Sequence, residues 1–287
     1  MLESIVNPER TEKGPFKMFF VGAVYASLSI LFVKFLFSQV PVFYQSAGLL
    51  VVSFSVFFIF PFMYFLIVRE EKIDEQIEGF ASVWEFHKDA IYAFMWLFLG
   101  FLVAFSFWHI TLNDANLFNA QIETYCTINS PGDIENCVLK NSPGEQGGIT
   151  GNSISKGERF ISIISNNVYV MIFTLLFSMF FGAGAMFILA WNASVIAAAI
   201  GIFTKYSLGD IPFGVARYMI HGIPEIAAYF ITALAGGILG IGVIRNGIMN
   251  KTFLRLFENI IMLLFIGILL LAVAAAIEVY LTPVLFS

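Results

Sequence analysis

Long apolar runs separated by short polar intervals dominate this chain. A bilayer core takes about 20 helical residues. By that measure spans are expected at 18–37, 47–68, 90–110, 163–190, 218–244 and 260–281. A shorter run, 192–207, either crosses as a thin seventh span or dips in and returns. In 69–89, Ile73, Ile77, Phe80 and Trp84 recur at helical spacing among charges. That pattern fits an amphipathic helix on the inner membrane surface, against a partner, or packed under the bundle. The polar stretch 111–160 carries Asn129-Ser130-Pro131-Gly132 and Asn141-Ser142-Pro143-Gly144, which predict turns rather than a packed domain.

Composition fixes the class. Of 287 residues, 59% are apolar and 12% charged, with 34 Phe and a mean hydropathy of +0.86. Soluble domains carry about a quarter of their residues as charges. The expected fold is an all-α integral membrane protein, a bundle of about seven transmembrane helices with one short or re-entrant. A net charge of −5 without a basic cluster excludes nucleic acid as a partner. The first run lacks a small-residue cleavage site and has Lys34 near its far end, so it reads as a retained span.

Charge then orients the spans. With the short run crossing and the amino terminus cytoplasmic, Arg10, Lys13, Lys17, Arg69, Lys72, Lys88, Arg245, Lys251 and Arg255 fall inside. Lys140, Lys156, Arg159, Lys205 and Arg217 fall outside. This follows the positive-inside tendency, and a re-entrant run would reverse it. A multi-pass cell-membrane protein with its carboxyl terminus outside is the expectation. Both cysteines, Cys126 and Cys137, lie in the outer loop, where an oxidising face favours a disulfide and a reducing one leaves two thiols.

Small residues mark contacts between helices. Gly236 and Gly240 have the four-residue spacing of close-packing interfaces, and Phe181-Gly182-Ala183-Gly184-Ala185 and residues 272–276 add to them. The first two spans are rich in Phe and poor in Gly, which suits a lipid-facing position.

The candidate chemistry sits at His221-Gly222-Ile223-Pro224-Glu225. An ionisable group in hydrocarbon costs several kcal/mol unless paired or wetted, roughly 3 or more at the helix centre. Arg217, His221 and Glu225 share one helix face. Glu278, on the last span, and Asn166 and Asn167, at the start of the fourth, are expected in the same leaflet. Three readings stay open: a structural polar cluster fixing two helices, part of a solute or proton path, or a metal or acid–base site. No second His stands near, and no catalytic triad or phosphate loop motif is present, so no catalytic residue, metal or cofactor is assigned.

At these residues the chain resembles the stage II sporulation protein M family. The resemblance lies in Trp191-Asn192-Ala193 through Gly201, then the His221–Glu225 helix with Ala235-Gly236-Gly237, then Glu278-Val279-Tyr280-Leu281-Thr282-Pro283. It implies that Asn192 opens the short apolar run and, with Gly236 and Gly240, serves helix packing. It also implies a five-span core over 90–287 with the outer loop 111–160, preceded by a two-span extension over 1–89. The family is implied to be non-catalytic, its sporulation member anchoring peptidoglycan-degrading partners during engulfment. The expected function is therefore a polytopic scaffold that docks cell-envelope proteins. A small-solute transporter or channel and an intramembrane metal-dependent hydrolase are the alternatives, and further copies of the chain are a candidate partner beside the bilayer.

Overall fold

The computed structural model describes residues 15–74, 80–129, 133–142, 156–181, 185–246 and 251–286. Within them every regular element is helical: α1 (Lys17–Phe37), α2 (Ala47–Asp74), α3 (Phe80–Leu112), α4 (Asn119–Asn129), α5 (Ile134–Asn141), α6 (Lys156–Phe181), α7 (Ala185–Phe203), α8 (Ile211–Asn246) and α9 (Lys251–Ala276). Six are long and apolar enough to cross a membrane. Helix α2 makes a seventh when its two halves, which meet at a 44° bend beside Pro61, are counted as one span. A proline ring inside a helix removes a donor and clashes with the preceding turn, which bends the chain there.

Several boundaries differ from expectation. The run 163–190 is not one span: α6 ends at Phe181 and α7 begins at Ala185, and the Gly182-Ala183-Gly184 set between them lies outside the described residues. Asn192 therefore sits inside α7 and opens no helix. Its side-chain amide donates to the Ile188 carbonyl one turn back, at 2.7 Å. Helix α8 opens at Ile211, ahead of 218, where Pro212 fits the first turn because its missing N–H is not needed. At the far end, α9 widens into a π-helical turn, Ile277–Leu281, in which the Thr282 N–H reaches back to the Ile277 carbonyl.

Of the segment 69–89, residues 69–74 continue α2 and 80–89 open α3, so no separate amphipathic helix stands there among the described residues, and Ile77 lies outside them.

Helix α8 is the axis of the bundle. Of its apolar span, 72% is buried, against 17% for α6. Its Phe230 ring lies 5.2 Å from Phe94 and 6.2 Å from Phe98 of α3, centroid to centroid. Gly236 and Gly240 face the backbone carbonyls of Leu175 and Met179, so α8 and α6 touch main chain to main chain. Helix α1 is two-sided. Gly22 meets the Leu97 carbonyl and Gly100 of α3 meets the Phe19 carbonyl, while Phe20, Val24, Leu28 and Phe35 look outward into lipid.

The polar stretch after α3 contains more than turns. Helices α4 and α5 form a hairpin closed by a Cys126–Cys137 disulfide. Ile122 and Cys126 are buried against Ala198 of α7, with Tyr125, Ile134 and Val138 packed around them. This small apolar cluster is what turn-rich composition concealed. Gln121 fastens the hairpin to the bundle by donating to the Gly48 carbonyl at 3.0 Å and to Ser194 Oγ at 3.2 Å. Tyr206, held at a left-handed φ of 59°, donates its hydroxyl to the Asn141 carbonyl at 2.6 Å.

Candidate functional site

Arg217, His221 and Glu225 line the first half of α8, and Glu278 sits on the π turn of the neighbouring helix. All four lie toward the end of the bundle that carries the hairpin. None hydrogen-bonds to another of the four among the described residues. Side chains one turn apart on a helix diverge toward whichever neighbour stands beside each level, and here the neighbours differ.

Arg217 donates to the Phe286 carbonyl at 2.9 Å and lies 4.4 Å above the Phe203 ring. It ties the carboxyl-terminal turn and the end of α7 to α8, with a cation–π contact worth about 0.5–2 kcal/mol. His221 Nδ1 stands 3.4 Å from the Thr282 hydroxyl, a long contact. Glu225, half-buried, accepts from the Tyr229 hydroxyl at 2.9 Å and from Asn167 of α6. No cation pairs with it among the described residues. Among the described residues Asn166 reaches only toward Asn167, at 3.4 Å.

Glu278 pairs instead with Arg159, 3.7 Å away. Sequence reasoning placed Arg159 among the outer charges without giving it a partner. The signal was available: Arg159 opens the fourth span and Glu278 closes the last, so opposite chain directions bring them to one level.

The site so assembled joins α6, α7, α8 and α9 by polar contacts around one uncompensated carboxylate. Among the described residues no group of three or more His, Cys, Asp or Glu is placed to hold a metal ion. Chemically the arrangement supports helix fixing, and Glu225 offers a single acceptor to a cation or proton.

Two further polar positions escaped the sequence. At the opposite end, His87 Nδ1 stands 2.7 Å from Glu70, both fully buried, joining α3 to α2. His109, near the end of α3, is buried with neither ring nitrogen bonded among the described residues, its ring 4.4 Å from Phe118 and 5.3 Å from Tyr206.

The fold defines a multi-pass helical membrane protein. The chain belongs to the stage II sporulation protein M family, whose model matches residues 53–283, opening within α2. It is 34% identical over 129 residues to the uncharacterized protein MJ0793 of Methanocaldococcus jannaschii, a match covering 43% of this chain and 71% of that one. No solved structure matches the chain.

Proposed function

We propose that this protein is a non-catalytic scaffold that anchors partner proteins at the cell envelope. The hairpin α4–α5 carries this reading. It is covalently closed, seated on α7, and presents Ile128 and Leu139, 60% and 56% exposed, at the surface. A rigid element with exposed apolar side chains is suited to receiving a partner. The disulfide fits an oxidising face, so in this reading the hairpin end is external and the amino terminus cytoplasmic. The ionisable groups in the membrane support the same view, since Arg217, Arg159 and Glu278 are spent on contacts between helices.

Affinity purification from native membranes in mild detergent tests this. Cell-envelope proteins are expected to co-purify, and Ile128→Asp with Leu139→Asp is expected to release them while the disulfide still forms. A chain that purifies alone, with or without those changes, overturns the proposal.

A transporter is the second reading, favoured by Glu225, a half-buried carboxylate without a cation beside it among the described residues. Uptake into proteoliposomes that is lost in Glu225→Gln would establish it. Flux absent, or indifferent to that change, removes it.

A further inference from the structure

We infer that α6 pairs with α6 of a second copy of this chain inside the membrane, through the face that carries Ser162, Ser165, Asn166 and Tyr169. All four are exposed, and α6 is the least buried of the six spans. The comparison with α9 is informative. Its outward positions Ile261, Phe265, Ile268, Leu269 and Val273 are all apolar and need nothing but lipid. The outward face of α6 is not of that kind.

Depth sharpens the contrast. Asn166 and Tyr169 lie seven and ten residues beyond Arg159, the first residue of the candidate span, or about 10 and 15 Å along the helix axis from it at 1.5 Å per residue. Hydrocarbon supplies neither donors nor acceptors there. Among the described residues Asn166 has only its contact to Asn167, beyond the usual hydrogen-bond length at 3.4 Å. The Tyr169 hydroxyl, on a side chain 65% exposed, meets no hydrogen-bond partner among the described residues.

The occupant follows from the chemistry. A carboxamide both donates and accepts, and so does a phenol hydroxyl. Two copies related by a two-fold axis along the membrane normal set Asn166 against Asn166 and Tyr169 against Tyr169 at equal depth, so each satisfies its own kind. Ser162 and Ser165, one turn toward the surface, are small enough for the two helices to approach closely. Phe173 and Phe180, 56% and 71% exposed, extend the same face with apolar contact.

Cysteine cross-linking in native membranes tests this on the full chain. Ser165→Cys, treated with a short bismaleimide that leaves the Cys126–Cys137 disulfide intact, is expected to give a product of twice the chain mass. Ile268→Cys on the outward face of α9 is expected to give none. Adding Asn166→Leu to Ser165→Cys is expected to lower the cross-linked fraction about three- to tenfold, the scale of an interhelical hydrogen bond in a membrane. Single-molecule photobleaching in dilute liposomes reads the same dimer without any cysteine. Single-step bleaching, cross-linking no greater at 165 than at 268, or a product of another mass each overturns the inference.

Discussion

Arg159, in the first turn of α6, lies 3.7 Å from Glu278 on the π turn that ends α9, and this contact ties the start of α6 to the end of α9. With Arg159 55% exposed, solvent and salt screen the pair. A double-mutant cycle with Arg159→Ala and Glu278→Gln, followed by chemical unfolding in detergent, is expected to give a coupling of about 0.5–1 kcal/mol that shrinks in high salt. Strict additivity denies the contact.

The disulfide closes a segment with a sequence separation of eleven between its cysteines. Loop-closure entropy assigns such a bond about 2–3 kcal/mol. Cys126→Ser with Cys137→Ser is expected to lower the melting temperature and open residues 119–141 to protease, leaving the spans protected.

A Cβ at Gly100 collides with the Phe19 carbonyl, whereas one at Gly157 meets nothing within 4 Å. Gly100→Ala is expected to force α1 from α3 at a cost of about 1–3 kcal/mol. Gly157→Ala is expected to be neutral or slightly stabilising, by up to about 1 kcal/mol. Equal unfolding midpoints for the two variants contradict this packing.

Asp114 accepts hydrogen bonds from Tyr44 at 2.5 Å, from Lys34 at 3.0 Å and from the Asn116 N–H at 3.1 Å. Burial opposes its charge, but these donors outweigh it and hold the carboxyl below its ordinary value of 3.8. The unfolded chain therefore takes up this proton first as pH falls. The stabilisation is complete above about pH 4 and is lost as pH drops through the lowered folded value. Melting curves from pH 7 to 3 are expected to show wild type above Asp114→Asn at neutral pH and the two converging in acid. A gap that persists undiminished in acid rules this out.

His109 leaves two ring nitrogens unbonded in an apolar setting. A buried polar group in that state costs about 1–3 kcal/mol. His109→Leu is expected to unfold no earlier than wild type, as measured by denaturant midpoint. A loss above about 1 kcal/mol contradicts this.

Hydropathy made the spans legible because bilayer thickness sets a length that apolar runs must meet. It failed at 163–190, since no charge stands between the end of α6 at Phe181 and the start of α7 at Ala185 to mark the break. It failed again at α4–α5, where Ile122, Ile134 and Val138 form a core too small to register against neighbouring spans. The face shared by Arg217, His221 and Glu225 was readable from spacing, but their partners Phe286, Thr282 and Tyr229 were not. Periodicity says where a side chain starts and says little about what it meets. His87 and Glu70 were hidden because charged residues at a span boundary read as solvated.

The Tyr206 hydroxyl grips Asn141, one turn from Cys137, and Cys137 is bonded to Cys126 on the other limb of the hairpin. Tension applied to either limb thus travels by a short route into the end of α7 instead of unravelling the loop. Load applied to the hairpin is borne by a long helix of the bundle, and the hairpin behaves as a stiff handle.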